Sequence, residues 1–301
     1  MSRTNGLDSK QRRALAQSLT RILDASVEEA LAGLADAGGE PARRLGMTGP
    51  PGAGKSTLIC RLAARRLERD RRIGVLAIDP TSPVSQGSIL GDRVRMETVA
   101  EHPALYVRSV PSRRAHDGLC DNIADLLLTM EGFGFDDLVV ETVGVGQAEF
   151  AVRSLVDTVV LVLVPESGDT IQAMKAGILE TADIIVVNKA DLPGAGKIRA
   201  EVAAIIRRKK GDGGWLAPVI MASATKDTGI GDLDDSVERH AAWLAEHRDA
   251  RATRRERSRY HMRNLLLRRA GEVLDGTPAE SFDGALPQLF DRLVAGLMRV
   301  G

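Results

Sequence analysis

Two short motifs contain the residues that could do chemistry. Residues 49–57, GPPGAGKST, fit the phosphate-binding pattern G-x-x-x-x-G-K-[ST]. Residues 188–191, NKAD, fit a loop that recognises a guanine base. The first motif indicates a nucleoside triphosphate, and the two together predict that the ligand is GTP.

The phosphate-binding motif has the strand–loop–helix surroundings that it requires. A weak apolar strand over residues 43–49 precedes it, and a helix-like stripe of leucines follows it. The glycines let the backbone turn tightly and direct successive N–H groups toward phosphate oxygens. We expect Lys55 to reach the β- and γ-phosphates and the hydroxyl of Ser56 to ligate Mg²⁺. The predicted nucleotide contacts of this loop are Gly49, Pro50, Gly52, Ala53, Gly54, Lys55, Ser56 and Thr57.

The base-recognition motif follows a short apolar strand, at the end where open α/β sheets bind ligands. The carboxylate of Asp191 can accept from both N1–H and N2–H₂ of guanine, a donor pair that adenine lacks. The amide of Asn188 can reach the N7/O6 edge, and the stem of Lys189 can cover the base plane. A further strand ends in Ser223 and Ala224, and it resembles the GTPase loop whose backbone N–H contacts guanine O6.

Acidic residues at other strand ends are candidates for the remaining chemistry. Asp79 ends an apolar run and Asp92 follows in a loop, so both are candidates for Mg²⁺ binding or for orienting the attacking water. Helix capping or turn formation is the alternative role for each. Glu141 ends another strand, with Gly144 three residues on. Its carboxylate would hold a Mg²⁺-bound water, and the Gly144 N–H would sense the γ-phosphate.

Two further residues each have two alternative roles. Gln147 could orient the lytic water, or it could be an exposed amide in a loop. Lys175 lies on a predicted helix near the nucleotide, where it is either a second switch contact or a solvated lysine.

The alternation of strands and helices predicts the fold that positions these residues. Apolar runs occur at 73–79, 104–110, 137–142, 157–164, 183–188 and 218–223, with helical patterns at 119–131, 170–181 and 196–209. Unbroken apolar runs are typical of parallel strands buried on both faces. The sequence therefore predicts an α/β fold, a doubly wound and mostly parallel sheet.

Helical segments flank this domain on both sides. We predict an N-terminal helical segment over residues 1–41, the nucleotide-binding domain over 42–235, and a C-terminal helical arm over 236–301. The arginine-rich C-terminal helices are either a solvated basic face or a protruding element that dimerises or docks a partner.

Composition argues against several classes of function. Basic and acidic residues number 41 each, and aromatic residues make up 3% of the chain. We therefore expect no electrostatic attraction to nucleic acid or membrane, and no stacking platform for single strands. Two cysteines without a C-x-x-C pattern suit a reducing compartment, and the N-terminus lacks an apolar signal core. These features predict a cytoplasmic protein.

Taken together, the motifs resemble one family. The strings GMTGPPGAGKSTL, DPTSPVSQGSILGDRVRM, ETVGVGQAE and NKAD are similar to the MeaB/ArgK group of P-loop GTPases, which includes the human methylmalonic aciduria type A protein. The resemblance covers roughly residues 10–250. SILGDRVRM at 88–96 and ETVGVGQ at 141–147 extend well beyond generic GTPase motifs.

The resemblance implies a homodimeric GTPase chaperone. Such proteins bind an adenosylcobalamin-dependent acyl-CoA mutase, gate the loading of its cofactor, and protect or reactivate it. The basic C-terminal helices match the family's dimerisation arm in location and character. The resemblance implies that Mg²⁺ and the phosphates are contacted by Lys55, Ser56, Asp79, Asp92 and Glu141. It implies that the base is contacted by Asn188, Lys189 and Asp191. Lys175 then falls in a segment that responds to the mutase.

The chain departs from the family pattern in two places. SRRAHDG at 112–118 replaces an SRG-x-LGG-like segment, and GQAE at 146–149 replaces GQSE. The first change leaves open whether the partner is methylmalonyl-CoA mutase or a relative that acts on another branched acyl-CoA.

Two other functions remain open. A nickel-insertion GTPase also uses a Glu-x-x-Gly element, but it needs Cys or His ligands, and only His240 and His247 have any suitable spacing. A P-loop kinase for a small molecule or peptide predicts a preference for ATP. We expect slow hydrolysis by the chain alone, because no arginine finger can be assigned. We expect no direct cobalamin binding, because no D-x-H-x-x-G motif is present.

Overall fold

The computed structural model describes residues 6–34, 41–79, 102–112, 118–144, 148–165, 177–208 and 214–297. Three residues predicted for the site, Asp92, Gln147 and Lys175, lie outside these ranges.

The described strands form one parallel sheet of seven. They are β1 (Arg43–Thr48), β2 (Ile73–Asp79), β3 (Leu105–Pro111), β4 (Asp137–Glu141), β5 (Thr158–Leu163), β6 (Ile184–Val187) and β7 (Val219–Met221). Their order is β3-β2-β4-β1-β5-β6-β7, and each pairing is parallel. The winding reverses at β1, so the loops after β1 and β4 lie side by side at the edge where such sheets bind ligands. The predicted fold class is confirmed.

Helices account for most of the remaining described residues. They are α1 (Ser9–Asp24), α2 (Val27–Leu34), α3 (Lys55–Leu67), α4 (Ile123–Gly132), α5 (Ala148–Ala151), α6 (Ala195–Arg208), α7 (Ile230–His247), α8 (Ala250–Asp275) and α9 (Leu286–Leu297). Within the predicted helix 170–181, the described part forms only a short 3-10 turn, Ile178–Glu180. No helix in the described ranges is both long and apolar enough to cross a membrane.

Both faces of the sheet are covered, which explains why its strands are apolar without interruption. On one face, α3 and α7 contribute Leu62 and Val237 to a core that includes Val139 of β4. On the other face, α1 and α4 contribute Leu19 and Leu126 to a second core. The N-terminal helix α1 is therefore packed into the body of the domain.

Helix α7 crosses the predicted start of the C-terminal arm at residue 236. It begins at Ile230 directly after Gly229, which has a φ of 74°. Its residues Val237 and His240 are buried, and the helix contacts α3, β5 and β6. Because this helix completes the cover of the sheet, the arm comprises residues 250–297, from α8 to α9.

A buried ion-pair network joins α3, β4 and α7. Arg66 of α3 is 3% exposed and lies 3.0 Å from carboxylate oxygens of both Asp137 and Asp234. Burial raises the pKa of Asp137, but Arg66, Arg43 and Arg71 lower it overall. Removing one partner of such a network leaves a buried charge, which is strongly destabilising. The network therefore fixes the helix that follows the phosphate loop against β4.

The arm docks on the domain through polar contacts and through Tyr260 of α8, which belongs to the second core. His261 Nε2 lies 2.5 Å from Asp125 Oδ1 on α4, and Arg268 donates to Asp125 Oδ2 at 2.7 Å. Helix α9 packs on α8 but leaves Leu286 and Phe290 80% and 68% exposed.

Candidate nucleotide-binding site

The loop between β1 and α3 has a backbone that requires glycine at three positions. Gly49, Gly52 and Gly54 have φ values of 140°, 74° and 85°. A Cβ on Gly49 would lie 2.1 Å from the carbonyl oxygen of Val162, and a Cβ on Gly54 would lie 2.5 Å from Nδ2 of Asn188. Since α3 begins at the next residue, the N–H groups of its first turn face this loop, as in sites that bind phosphate.

The side chain of Lys55 folds back over the loop. Its Nζ donates to the carbonyl oxygens of Gly49 at 2.8 Å and Pro50 at 3.1 Å, and the residue is 6% exposed. A phosphate oxygen is a stronger acceptor for an ammonium group than a carbonyl oxygen is. The two carbonyls therefore hold the ammonium group of Lys55 over the predicted phosphate site.

The carboxylate at the end of β4 contacts the first turn of α3. Ser56 Oγ donates to Glu141 Oε1 at 2.8 Å, and both side chains are buried. The contact follows from the sheet order, because Met47 of β1 pairs in register with Glu141. Two of the residues predicted to bind Mg²⁺ are thus brought together.

Asp79 ends β2 at the same edge of the sheet. In the β2–β4 pairing Ala77 lies opposite Glu141, so Asp79 lies two residues beyond that position. It is 3% exposed, and its backbone carbonyl accepts from the Ser112 N–H at 3.0 Å.

The loop after β4 packs against the phosphate loop. Gly144 has a φ of 78°, and a Cβ there would lie 1.8 Å from the carbonyl oxygen of Gly49 and 3.1 Å from Lys55 Nζ. Next to it, Thr142 Oγ1 donates to Thr48 Oγ1 at 2.9 Å. Sequence reasoning found Gly144 from its spacing after Glu141, but it missed the threonine pair, because threonine at a strand end has no distinctive pattern.

Asn188 joins the base-recognition loop to two other loops. Its Nδ2 donates to the Ala53 carbonyl at 2.7 Å, and its Oδ1 accepts from the Ala224 N–H at 3.3 Å. The residue is 2% exposed. Both ends of the amide are therefore engaged by protein, a bridging role that the prediction of contact with the N7/O6 edge did not include.

Asp191 is oriented by two neighbours. Ser223 Oγ donates to Asp191 Oδ1 at 2.6 Å, and Lys226 Nζ lies 3.6 Å from Oδ2. The Ser223 hydrogen bond is the main cause that lowers the pKa of Asp191, with Lys226 adding to it. The carboxyl group is thus kept ionised, the form that accepts two hydrogen bonds. Lys226 was not predicted for the site, although it follows the Ser-Ala pair by only two residues.

A cleft of about 280 Å³ lies between the phosphate loop and the base-recognition loop. Lys189 reaches its position with a φ of 55°, unusual for a residue with a side chain. The lining residues are Gly52, Gly54, Thr57, Asn188, Lys189, Ser223, Ala224 and Thr225.

These residues fit a guanine nucleotide with Mg²⁺. The loop has no room for a Cβ at Gly49 or Gly54, and Lys55 supplies a positive charge beside it. The Ser56–Glu141 pair supplies the oxygen ligands that Mg²⁺ prefers. An ionised Asp191, held by the cleft-lining Ser223, matches the N1–H and N2–H₂ donors of guanine. Among the described residues, no group of three or more His, Cys, Asp or Glu could hold a metal such as nickel.

The fold and this site together define the class, which is that of the P-loop GTPases. Within that class, the model of the family described as "Methylmalonyl Co-A mutase-associated GTPase MeaB" matches residues 14–275. The chain belongs to the MeaB family, as its motifs predicted.

Known relatives agree with this assignment. A putative GTPase of Pyrococcus abyssi is 40% identical over 225 residues, which are 74% of this chain and 69% of that protein. The methylmalonic aciduria type A homolog, mitochondrial, of Mus musculus is 34% identical over 262 residues, which are 86% of this chain and 63% of that protein. A crystal structure of an LAO/AO transport system kinase has a TM-score of 0.60 at 21% identity, covering 97% of this chain and 99% of that one. This last likeness shows the fold alone.

Proposed function

We propose that this protein is a GTP-hydrolysing switch for an adenosylcobalamin-dependent acyl-CoA mutase, either methylmalonyl-CoA mutase or a relative. It gates loading of the mutase cofactor and protects or reactivates the enzyme. The observation that carries the proposal is the family match over residues 14–275, which includes both nucleotide loops and helix α8. The similarity to the mouse methylmalonic aciduria type A homolog supports the same partner.

The reaction is the in-line attack of water on the γ-phosphate of GTP, which yields GDP and phosphate. Lys55 and the N–H groups of the glycine loop stabilise the negative charge on the phosphate oxygens. Ser56, Glu141 and Asp79 would hold Mg²⁺, which would supply further positive charge to the phosphates; the Ser56–Glu141 contact supports this assignment. Asp191 selects guanine.

Two residues outside the described ranges complete the proposed chemistry. Gln147 or Asp92 orients the attacking water, and Lys175 lies in the segment that responds to the mutase. No arginine finger is assigned in the chain, and such a group contributes roughly 10³–10⁵ in rate. We therefore propose slow hydrolysis by the chain alone and faster hydrolysis in the complex.

A route from the nucleotide to the surface starts at Gly144. Its backbone lies against Gly49, so loss of the γ-phosphate releases it from the phosphate loop. Further along the chain, Ala148 packs against Gly118, where an added Cβ would lie 3.0 Å from the Ala148 Cβ. Helix α8 contacts the turn Val152–Ser154 directly after α5. These contacts support transmission of the nucleotide state to the surface through the loop before α4 and through the arm.

We propose that the arm forms a homodimer. Its exposed apolar side chains are Met262, Leu266, Leu267, Leu274, Phe282, Leu286, Phe290 and Val294. Exposed apolar side chains that form a contiguous patch usually mark an interface, and we propose that these residues form one. Light scattering after size exclusion should show a dimer for the wild type and a monomer for a Leu286→Asp/Phe290→Asp variant. A monomeric wild type would contradict the dimer and leave the GTPase proposal standing.

The test of the proposed function is a pull-down from native lysate. The protein is immobilised with GDP or with a non-hydrolysable GTP analogue, and the eluate is identified by mass spectrometry. We expect a cobalamin-dependent acyl-CoA mutase whose recovery depends on the nucleotide, and loss of that dependence in Asp191→Ala. Recovery of a nickel enzyme or a transporter without a mutase would remove the proposed function. A preference for ATP, with nucleotide binding intact in Asp191→Ala, would favour a kinase instead.

The proposed switch acts in the cytoplasm and does not itself bind cobalamin. A titration of the GDP-bound protein with adenosylcobalamin should leave the cobalamin spectrum unchanged. A saturable spectral change would mean that the chain carries the cofactor as well as gating it.

A further inference from the structure

A second cleft lies at the amino ends of strands β1 and β5, whereas the nucleotide site lies at the carboxyl ends of the strands. The volume of this second cleft is about 390 Å³. Arg43 at the start of β1 and Asp157 just before β5 line one side, and Leu244, Arg248 and Arg257 of α7, the following linker and α8 line the other. The nucleotide loop follows the far end of β1, and a strand of six residues is about 20 Å long. The two clefts are therefore separate sites.

The charges in this cleft do not balance. Arg43 is paired elsewhere, with Asp137 at 2.9 Å and Glu238 at 2.8 Å. Arg248 and Arg257 share a single oxygen, Asp157 Oδ1, at 2.5 and 2.7 Å. Among the described residues, one carboxylate thus pairs with these two guanidinium groups, which leaves one positive charge over.

Arg257 also has unused hydrogen-bonding capacity. Its Nε is buried, and no acceptor in the described part of the chain lies within hydrogen-bonding distance of it. The other oxygen of Asp157 accepts from the Arg44 N–H at 2.8 Å. Burial lowers the pKa of Arg257, and repulsion from Arg44 and Arg248 acts in the same direction against the attraction of Asp157. A bound anion in the cleft would relieve the repulsion between the guanidinium groups.

The rest of the lining is apolar and small, with Pro41, Leu244 and alanines of α7 and the β1 segment beside the arginines. Guanidinium groups match the planar fork of a carboxylate, and an apolar wall suits a short hydrocarbon body. We infer that this cleft binds a small organic monocarboxylate, with its carboxylate on Arg248 and Arg257 and its hydrocarbon part against Leu244. The ligand bridges the sheet to the first turns of the arm.

The inference is independent of the mutase proposal and is tested by binding alone. The full chain is saturated with GDP and Mg²⁺, so that the nucleotide loop is filled, in a buffer without phosphate or carboxylate. Acetate, butyrate and hexanoate are titrated by ligand-observed NMR, with inorganic phosphate and butylammonium as comparison probes. We expect saturable carboxylate binding whose affinity rises by up to about fourfold per added methylene, and none for butylammonium.

In the first pair of variants, one substitution places a glutamate carboxylate in the cleft and the other is its control. Ala245 lines the cleft and Ala242 does not, although both are exposed on α7. Ala245→Glu should abolish butyrate binding and raise the melting temperature relative to Ala242→Glu, which should bind butyrate like the wild type. The two substitutions are chemically identical and lie three residues apart on one helix, so a general effect on α7 would appear in both.

A second pair removes the arginine. Arg257→Gln should weaken butyrate binding at least tenfold, whereas Arg255→Gln, at an exposed position of the same helix, should change it less than twofold. Absence of saturable carboxylate binding by the wild type, or tighter binding of phosphate than of butyrate, would overturn the inference. Equal losses within either pair of variants would also overturn it.

Discussion

Nδ2 of Asn188 lies 2.7 Å from the carbonyl oxygen of Ala53, so the base-recognition loop and the phosphate loop form one hydrogen-bonded unit. The other end of the same amide accepts from the Ala224 N–H at 3.3 Å. Because Asn188 is 2% exposed, water cannot easily replace either contact. Three loops that are far apart in the chain therefore depend on one side chain for their relative positions.

Asn188→Ala should weaken the nucleotide-free protein as well as its binding of nucleotide. It leaves a buried carbonyl and a buried N–H without their partner, and each unsatisfied group costs about 1–3 kcal/mol. We expect a lower free energy of unfolding in urea and a GDP affinity reduced by about 10- to 100-fold. Asp191→Ala is the matched control, because its side chain is 27% exposed. Equal stability of the two apo variants would contradict the bridging role.

Asp191→Asn should change which base is preferred. Guanine offers two donors to the Asp191 carboxylate, whereas xanthine has a carbonyl oxygen in place of the amino group. An asparagine amide supplies one donor and one acceptor, and Ser223 can still donate to its oxygen. We expect the preference for GDP over XDP to fall by about 100-fold or more, measured by displacement of a fluorescent GDP analogue. An unchanged preference would remove Asp191 as the base-selecting residue.

Gly144→Ala should damage both stability and hydrolysis. The new Cβ would lie 1.8 Å from the Gly49 carbonyl oxygen, at a φ of 78° that side chains rarely adopt. We expect a loss of about 2 kcal/mol or more in the free energy of unfolding and at least tenfold slower GTP hydrolysis.

Gly196→Ala in α6 is the control for this substitution. Nothing lies within 4 Å of its added Cβ, so alanine should stabilise the helix by about 0.5–1 kcal/mol. A Gly144→Ala protein as stable and active as Gly196→Ala would show that the loop after β4 does not depend on contact with the phosphate loop.

His240 should make the protein less stable at mildly acid pH. It is 1% exposed, Thr158 Oγ1 lies 2.9 Å from its Nδ1, and burial lowers its pKa despite the attraction of Asp183. Below about pH 6.5 the unfolded chain takes up a proton that the folded histidine does not, so stability falls as pH falls.

The measurement is urea unfolding of the wild type and His240→Gln at pH 7.5, 6.5 and 5.5, followed by circular dichroism. Circular dichroism is preferred because Trp215 and Trp243 both contact the ring of His240. The wild type should lose up to about 1.4 kcal/mol per pH unit more than the variant in the acid range. Parallel pH profiles would rule out His240 as the cause.

Some residues of the candidate site were predictable from the sequence, whereas the contacts between its loops were not. The glycines, Lys55 and Ser56 are predictable because a phosphate loop is a contiguous motif whose backbone needs those residue types at fixed spacing. Glu141 is predictable from its place at a strand end, since parallel strands place their carboxyl ends at one edge. The bridge from Asn188 to Ala53 is not predictable in this way, because it depends on the separation of two loops more than 130 residues apart.

The boundary between the domain and the arm depends on packing, which helical periodicity in the sequence does not reveal. The composition changes near residue 236, yet α7 runs unbroken from Ile230 to His247. Helical periodicity continues across that change, and only packing distinguishes a helix that covers the sheet from one that leaves it. Val237 and His240 of α7 are buried against the sheet, whereas most arginines of α8 face solvent.

The sequence by itself determined the fold class and the family, and it predicted the chemistry of the two nucleotide loops, because each depends on local patterns of a few residues. Only the tertiary structure decided which side chains join those loops, how Gly144 meets Gly49, and that Arg248 and Arg257 share Asp157 across a cleft. These contacts bring together residues from distant elements. They follow from the order of strands in the sheet and the packing of helices on it, which no local pattern records.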